Sequence, residues 1–300
     1  MIFKTISAQE KRKKLKAQLE SSCLRFVGSF SPLVSRLIEQ KGFDGIYVSG
    51  AVLSSLQGWP DVGLTSLTEV VDLAESFTQF SSLPSIVDAD TGFGGAGNLA
   101  RTVYELEKKG LSAFHIEDQT FPKRCGHLDQ KTLISVEDMI LKIKTAVKAR
   151  KDNNFLIIAR TDARGVEGLD PALERAKAYV SAGADIIFPE ALQSVKEFEI
   201  FRTEISTPLM ANMTEFGKTE IISHQTFKKL AYNVVIYPVS AWRLALKAVD
   251  QGLDRLFKDQ QKDLLPQMQT RQELYKLLQY EDYKIFDKTL YNFSIKKDRA

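Results

Sequence analysis

One short stretch of the chain, Lys123 to His127, places a cysteine between cationic residues and a histidine. It follows Phe114 to Asp118, an apolar run that ends in two carboxylates and is typical of a buried strand. Cationic neighbours favour the thiolate form of a cysteine, so Cys125 is a candidate for proton transfer or nucleophilic attack. A basic surface loop with an incidental cysteine would have the same composition, and the context along the chain must decide between the two.

Acidic residues recur two positions apart at Asp88 and Asp90. Side chains on a strand point the same way at every second residue, so both carboxylates can face one cation. With Glu117 they would form an all-oxygen cluster without histidine or cysteine, which favours Mg²⁺, or else Mn²⁺, over zinc. The structural alternative is that Arg160 and Lys123 neutralise the aspartates.

A second group of residues offers hydrogen-bond donors for carboxylates. The forked guanidinium groups of two of them allow bidentate contact. The group contains Arg160, Arg243, Asn212, Thr214 and the backbone amides of Gly50 and Gly126. Together with the acidic cluster it indicates a small substrate that has several negative charges and chelates the metal.

This combination predicts cleavage of a carbon–carbon bond. A metal that polarises a 2-oxo or 2-hydroxy acid stabilises the enolate-like charge formed when the neighbouring bond breaks. An acid must then protonate the departing carbanion. Cys125 is placed for that role, which favours a proton donor over an incidental thiol.

The elements that must position these residues are short apolar runs, which alternate with amphipathic stretches whose apolar residues recur every three or four positions. Eight such units predict a parallel sheet closed into a (β/α)8 barrel of the TIM type, in the α/β class, with its active site at the C-terminal ends of the strands. The predicted strands are Leu24 to Gly28, Gly45 to Val48, Ser85 to Val87, Ala113 to Ile116, Phe155 to Ala159, Asp185 to Phe188, Pro208 to Ala211 and Val234 to Tyr237.

An open doubly wound sheet is the alternative fold, and it would need a glycine fingerprint after an early strand. The candidate stretch, Gly92 to Gly97, comes only after the third predicted strand and directly follows the two aspartates. Their negative charge would repel a phosphate group. We therefore favour the barrel.

The predicted organisation is a single barrel domain over residues 1–300, divided into a helical lead-in (1–23), the barrel (24–257) and a C-terminal helical extension (258–300). Ser7 and Glu10 have the spacing of a capping box, which supports the lead-in helix. The helical pattern from Met268 to Asp287 can pack on its own domain or reach a neighbouring subunit. We favour the second interpretation.

Composition limits the class of partner. Lys and Arg total 41 against 38 Asp and Glu, and a net charge of +3 gives no basis for a nucleic-acid partner. No stretch approaches the roughly 18 consecutive apolar residues of a membrane helix, and the N-terminus lacks an apolar signal core. Two cysteines, Cys23 and Cys125, are too few for a disulfide framework. We expect a cytoplasmic protein without a membrane or nucleic-acid partner.

Several motifs, in order along the chain, resemble those of the isocitrate lyase and phosphoenolpyruvate mutase superfamily. The likeness runs from about Leu24 to Arg271 and beyond. The motifs are Tyr47-Val48-Ser49-Gly50, Trp59-Pro60-Asp61, Asp88-Ala89-Asp90-Thr91-Gly92-Phe93-Gly94, Ile116-Glu117-Asp118-Gln119, Lys123-Arg124-Cys125-Gly126-His127, Ala159-Arg160-Thr161-Asp162, Phe188-Pro189-Glu190 and Asn212-Met213-Thr214-Glu215-Phe216-Gly217.

The resemblance implies Mg²⁺-dependent retro-aldol cleavage of 2-methylisocitrate to pyruvate and succinate, a step of propionate breakdown in the methylcitrate cycle. By the same resemblance, Asp88 and Asp90 form the metal site and Cys125 is the general acid. Tyr47 is a candidate acceptor of the hydroxyl proton. The family also implies a homotetramer that exchanges its C-terminal helix.

Further roles follow from the resemblance. The pyruvate portion would be held by Ser49, Gly50 and Ala51. The metal and the catalytic loop would be lined by Asp61, Glu117, Lys123 and His127. The remaining substrate contacts would come from Cys125, Gly126, Arg160, Glu190, Asn212, Met213, Thr214, Arg243 and Arg271.

Related activities remain as alternatives. By resemblance, isocitrate lyases carry a large insertion and a Trp where this chain has Ala51, and phosphonate-converting members lack the loop from Lys123 to His127. The run from Ser49 to Leu53 is bulkier than the glycine-rich run of many relatives, which leaves open the preference among 2-methylisocitrate, isocitrate and other oxo acids. A decarboxylase or hydrolase of oxaloacetate or another oxo acid, and a silent ligand-binding or assembly protein, are the competing functions.

Overall fold

The computed structural model describes residues 6–291, so the ends of the predicted lead-in (1–5) and of the predicted extension (292–300) lie outside the described residues. The described chain forms two compact units. The first is Ile6–Leu244, and the second contains the described residues from Ala245 onward. The division falls earlier than residue 257, and the predicted domain limits remain a prediction.

The first unit contains eight parallel strands, in the order β6-β5-β4-β3-β2-β1-β8-β7. A parallel bridge between Ile187 and Leu209 joins the two ends of the sheet, so the barrel is nearly closed. This confirms the predicted (β/α)8 fold. The strands are β1 (Leu24–Gly28), β2 (Gly45–Val48), β3 (Ser85–Asp88), β4 (Ala113–Glu117), β5 (Leu156–Thr161), β6 (Ile186–Pro189), β7 (Met210–Asn212) and β8 (Val234–Tyr237).

Helices follow the strands along the chain. One of them, the short helix α3 (Gly50–Leu56), was not predicted. Gly42, Gly110 and Gly183 have φ between 78° and 106°, the left-handed geometry expected where helices end before a strand. The helices are α1 (Ala8–Leu19), α2 (Pro32–Gln40), α3 (Gly50–Leu56), α4 (Leu67–Thr78), α5 (Ala96–Lys108), α6 (Val136–Ala149), α7 (Leu169–Ser181), α8 (Val195–Glu204), α9 (His224–Lys229), α10 (Ser240–Phe257), α11 (Arg271–Leu277) and α12 (Tyr280–Tyr291).

The lead-in helix α1 covers the N-terminal end of the barrel. Ser7 and Glu10 form the predicted capping box at its start. Leu15 and Leu19 pack in the barrel interior with residues such as Leu24, at the beginning of β1. Because this end of the barrel is filled with apolar side chains, a polar site can form only at the other end.

The C-terminal unit contains the rest of α10, a short 3-10 helix at Gln261–Gln267, and then α11 and α12. The single helical pattern predicted for Met268 to Asp287 is therefore two helices. Gln279, between them, has a left-handed φ of 58°, and the rings of Tyr275 and Tyr280 stack across the break. Among the described residues, no helix is both long enough and apolar enough to cross a membrane.

Candidate active site

Asp88 and Asp90 lie together at the C-terminal end of β3. The strand ends at Asp88, and a left-handed φ of 47° at Asp90 turns the second carboxylate back, so a turn rather than strand alternation brings the pair together. The Gly50 N–H donates to Asp88 Oδ2 at 3.1 Å. A Cβ atom on Gly50 would lie 2.9 Å from that oxygen and 3.2 Å from Asp90 Oδ1. A larger residue at position 50 would therefore displace the Asp88 carboxylate.

Lys123 neutralises part of this negative charge. Its buried Nζ contacts Asp61 and lies 2.8 Å from Asp90 Oδ1. We call Asp61, Asp88, Asp90 and Lys123 the open cluster, because it contains three carboxylates and only one cation. Burial, with help from Asp88, raises the pKa of Asp90 to about 6 despite the nearby ammonium group.

Unpartnered buried oxygens show where a cation would fit. Asp90 Oδ1 has no aligned hydrogen-bond donor, and neither has either carboxylate oxygen of Glu117. Within residues 6–291, however, no three His, Cys, Asp or Glu side chains form a ready-made metal cage. The predicted three-carboxylate cluster of Asp88, Asp90 and Glu117 is thus not preformed. Mg²⁺ commonly takes one or two carboxylates and completes its shell with water and substrate oxygens, which Asp88 and Asp90 suit.

Tyr47 points into the barrel from β2 and contacts a histidine that the sequence did not single out. Tyr47 Oη lies 2.7 Å from His115 Nε2, and that nitrogen lies 3.6 Å from Asp88 Oδ1. Burial raises the pKa of Tyr47 well above its ordinary value and lowers the pKa of His115 to about 4. Both side chains are neutral near pH 7, and this environment disfavours a tyrosinate.

Strand register brings a second group of charges next to the first. In the pairing of β4 with β5, Glu117 is opposite Arg160. The Arg160 guanidinium donates to Asp162 at 2.9 and 3.1 Å and lies 3.3 Å from Glu117 and 3.6 Å from Glu190. Lys131 Nζ also contacts Asp162, at 2.8 Å. Arg160 is buried, so these contacts act in a low-dielectric environment.

Glu190 accepts hydrogen bonds from a residue of the loop after β4 and from the last residue of β7. The Lys218 N–H donates to His127 Nδ1 at 3.0 Å, so the proton of the neutral imidazole is on Nε2, which lies 2.7 Å from Glu190 Oε1. Asn212 Nδ2 donates to the same carboxylate at 3.3 Å. Burial opposes the charge, but Arg160 and His127 lower the pKa of Glu190 well below its ordinary value. We call Arg160, Asp162, Glu190, His127 and Lys131 the paired cluster.

The loop after β4 supplies residues to both clusters. Lys123 belongs to the open cluster and His127 to the paired cluster, which leaves the half-buried Cys125 between them. Burial raises the pKa of the Cys125 thiol, so the thiolate expected from cationic neighbours is wrong. The reason is that Lys123 is committed to aspartates and Arg124 is exposed to solvent. A protonated thiol suits a proton donor.

The backbone of Gly126 packs directly on the paired cluster, because a Cβ atom there would clash with Arg160 and Glu190. Ser49 is buried at the start of α3, and Ala51 in its first turn is half-buried. Met213 belongs to the hydrophobic core, and its sulfur accepts the Ile222 N–H, so its side chain is committed to packing.

Three further residues predicted to contact the substrate are not members of either cluster. Thr214 is half-buried in the loop after β7. Arg243 is exposed, and its guanidinium lies over the Phe216 ring, 5.3 Å from the centroid. Arg271 begins α11 in the C-terminal unit and lines a groove with Tyr275 and Tyr280. The substrate contacts assigned to these residues remain predictions.

The sequence interpretation assigned no role to His115, Lys131 or Asp118, although Asp118 was noted at the end of the fourth predicted strand. A polar residue inside an apolar strand was the available signal for His115, which lies opposite Asp88 in the pairing of β3 with β4. Asp118 accepts hydrogen bonds from Thr161 and Tyr179 and braces the ends of β4 and β5. Lys131 has no distinctive sequence context.

Comparison with known proteins places the chain in a family. The family profile described as phosphoenolpyruvate phosphomutase matches residues 13–257. A protein of Corynebacterium glutamicum named probable 2-methylisocitrate lyase 2 is 48% identical over 291 residues, which cover 96% of this chain and 95% of the relative.

Solved structures of similar fold belong to the same superfamily. A crystal structure of 2,3-dimethylmalate lyase has a TM-score of 0.87 and 31% identity, and the match covers 99% of this chain and 100% of that one. Phosphonopyruvate hydrolase, solved with oxalate and Mg²⁺, has a TM-score of 0.82 and 29% identity over 93% of this chain and 98% of its own. The chain therefore belongs to the isocitrate lyase and phosphoenolpyruvate mutase superfamily, as its motifs predicted, and is a lyase of that superfamily.

Proposed function

We propose that the chain cleaves 2-methylisocitrate to pyruvate and succinate, with Mg²⁺ held by Asp88 and Asp90 and with Cys125 as the general acid. One observation carries the proposal: a single loop contributes Lys123 to the open cluster and His127 to the paired cluster, with a protonated thiol between them. The similarity to proteins named as 2-methylisocitrate lyases supports the choice of substrate.

In the proposed reaction the hydroxyl group of the substrate loses its proton to solvent, and its carbon becomes the oxo carbon of pyruvate. The bond between this carbon and the neighbouring succinyl carbon breaks. The electron pair remains on the succinyl carbon, beside a carboxylate. Cys125 donates its proton to that carbon, which completes succinate. The buried, neutral Tyr47 suits a hydrogen bond to the hydroxyl group better than removal of its proton.

The open cluster fits a divalent cation by charge as well as by its unpartnered oxygens. Three carboxylates and one ammonium leave two net negative charges when all are ionised. When bound there, Mg²⁺ supplies positive charge to the oxygens of the oxo-acid portion. The buried Ser49 and the adjoining Gly50 and Ala51 would hold that portion.

The paired cluster would hold the succinyl portion. Arg160 is buried and already fixed by Asp162, so little side-chain entropy remains to be lost when a carboxylate binds. Proposed further contacts to the substrate carboxylates come from Glu190, Asn212, Thr214, Arg243 and Arg271.

A substrate panel tests the proposal. Turnover of 2-methylisocitrate, isocitrate and oxaloacetate should be compared in Mg²⁺, with pyruvate, glyoxylate and succinate quantified. We expect 2-methylisocitrate to have the highest kcat/KM. Turnover of oxaloacetate without release of pyruvate and succinate from 2-methylisocitrate would favour the decarboxylase or hydrolase alternative. Ala51→Gly removes one methyl group from the run Ser49 to Leu53. A change in the relative kcat/KM of the three substrates would show that the bulk of this run sets the substrate preference.

We further propose a cytoplasmic homotetramer that exchanges its C-terminal helix. Large apolar side chains of the C-terminal unit are exposed, including Val249, Leu253 and Phe257, which would favour a partner surface. Both cysteines are free thiols, which suits a reducing compartment. Sedimentation equilibrium should give the mass of four chains. A monomer at micromolar concentration would contradict the assembly.

A further inference from the structure

Lys131 is a buried cation of the paired cluster to which the proposed reaction assigns no step and no contact with the substrate. It lies at the end of the loop after β4 and is only 7% exposed. Its Nζ donates to the Gly126 carbonyl at 2.5 Å and to Asp162 Oδ1 at 2.8 Å. Removing a lysine ammonium from water is unfavourable unless its partners are well placed, so such a residue requires an explanation.

The two acceptors of Lys131 belong to different parts of the chain. Gly126 is a loop residue between Cys125 and His127, whereas Asp162 directly follows β5. The ammonium group is thus a direct tie between the loop backbone and the barrel. Gly126 packs on Arg160 and Glu190. The hydrogen bond from Lys131 to the Gly126 carbonyl therefore holds the loop where it contacts the paired cluster.

Lys131 also affects the charge on Arg160. Asp162 accepts two hydrogen bonds from the Arg160 guanidinium and one from Lys131, so two cations share one carboxylate. Without Lys131, the whole charge of Asp162 would act on Arg160. The guanidinium would then be held more firmly by the protein and would be less available to a substrate carboxylate.

We propose that Lys131 is a positioning residue that anchors the catalytic loop. By holding the Gly126 carbonyl it fixes Cys125 and His127 against Arg160 and Glu190, and by sharing Asp162 it leaves Arg160 able to bind a carboxylate. The kinetic consequence rests on the proposed function. The anchoring itself does not depend on the identity of the substrate.

The first test is Lys131→Met, which keeps the apolar stem and removes the charge and the donors. We expect kcat/KM for 2-methylisocitrate to fall about 10²-fold. The value of kcat falls because a small displacement of the acid is enough for a large loss, and KM rises because Asp162 holds Arg160 more firmly. Lys131→Arg keeps a cation that can reach the same acceptors and should recover a measurable part of kcat. The matched control is Lys11→Met, which removes another buried lysine, in α1, whose Nζ lies 3.4 Å from the Thr78 carbonyl. It should leave both kinetic constants unchanged.

The second test measures the anchoring without any substrate. The exposed Arg124 is a trypsin site within the loop, and the rate of cleavage after it under native conditions can be followed by mass spectrometry. We expect this rate to rise roughly tenfold or more in Lys131→Met, because the loop opens more readily. It should stay at the wild-type value in Lys11→Met.

The two readouts separate the two hypotheses. If 2-methylisocitrate is not the substrate, no variant turns it over, but cleavage after Arg124 still rises in Lys131→Met. A folded Lys131→Met chain with wild-type kcat, KM and cleavage rate would overturn the anchoring role. If that chain does not fold, Lys131→Gln, which keeps a neutral donor, replaces it, and the same outcomes decide.

Discussion

The open cluster and the paired cluster are neighbours, but they satisfy their charges in different ways. The paired cluster balances the cations Arg160 and Lys131 against the carboxylates Asp162 and Glu190, and each charge has a protein partner. The open cluster has a single ammonium for three carboxylates and leaves Asp90 Oδ1 without an aligned donor. The charges of the paired cluster are balanced within the protein, whereas the open cluster lacks positive charge.

The difference shows how one site can be both rigid and receptive. Internal pairing fixes the geometry of Arg160 and Glu190 before the substrate arrives, which is how preorganised groups stabilise charge without reorganisation. In the open cluster, the pKa of about 6 at Asp90 allows a proton to relieve part of the repulsion when no other cation is present. A divalent ion would replace that proton. The comparison therefore predicts different responses to substitution on the two sides.

The largest effect is expected in the open cluster, from Asp88→Asn. Loss of this carboxylate removes one of the two proposed metal ligands, so turnover should fall roughly 10³-fold or more, the equivalent of several kcal/mol. Mg²⁺ should raise the Tm of the wild type by binding the native state, and this shift should disappear in the variant. Steady-state kinetics and thermal scans with and without Mg²⁺ measure both.

Asp44→Asn is a suitable control, because Asp44 also accepts a backbone N–H, that of Arg25 at 2.9 Å, but has no part in the site. It should keep both turnover and the Mg²⁺-dependent Tm shift. Normal Mg²⁺-dependent turnover in Asp88→Asn would mean that the open cluster does not hold the metal. The excess negative charge of the open cluster would then have no role in the reaction.

Cys125→Ser tests the residue between the clusters. A hydroxyl group is a much weaker acid than a thiol, so kcat should fall roughly 10³-fold, within the range of general acid catalysis. Both clusters keep their groups, and KM should change only a few-fold. Steady-state kinetics with 2-methylisocitrate measure kcat and KM separately. Wild-type kcat in this variant would remove Cys125 from the mechanism.

The sequence was sufficient to predict the barrel, because strands buried on both faces form apolar runs that alternate with amphipathic helices. It was also sufficient to place Asp88, Glu117 and Arg160 together, since parallel strands deliver their ends to one edge. Helix α3 was missed because a seven-residue helix beginning at Gly50 has too little periodicity to detect. The break at Gln279 depends on a left-handed backbone for which glutamine gives no signal.

The electrostatics of the site were harder to predict. The sequence shows that Cys125 has cationic neighbours but does not show that Lys123 contacts Asp61 and Asp90. The cationic neighbours therefore predicted a lowered pKa for the Cys125 thiol, whereas burial raises it. Lys131 was missed for the same reason, because its importance depends on burial and on two acceptors distant in sequence. Charges are visible in a sequence, whereas their partners are properties of the fold.

Glu190→Gln measures how strongly the paired cluster depends on internal pairing. The substitution leaves Arg160 buried with one carboxylate fewer, and the free energy of unfolding should fall by about 3 kcal/mol, as is usual when one partner of a buried pair is removed. Urea denaturation at pH 7 measures the difference. A loss below about 1 kcal/mol would show that the pairing contributes little to stability.

The same variant gives a pH dependence with a defined sign. Folding lowers the pKa of Glu190, so its ionised form contributes stability that is fully present above its unfolded pKa of about 4.3. This contribution is lost as the pH falls below that value toward the lower folded pKa. The difference in unfolding free energy between the wild type and Glu190→Gln should therefore shrink between about pH 5 and pH 3. A difference that stays constant over this range would contradict the ionised pairing.

Glu117→Gln should have the smallest effect on stability and gives the sharpest test of the boundary between the clusters. Burial raises the pKa of Glu117 well above its ordinary value even though Arg160 lies 3.3 Å away. In metal-free protein this favours the neutral acid, which has nearly the same shape as glutamine. The free energy of unfolding, measured in urea with a chelator, should change by less than about 1 kcal/mol. A loss equal to that of Glu190→Gln would mean that Glu117 is ionised against Arg160. Glu117 would then add an unbalanced negative charge beside the paired cluster, and both sides of the site would need a further cation.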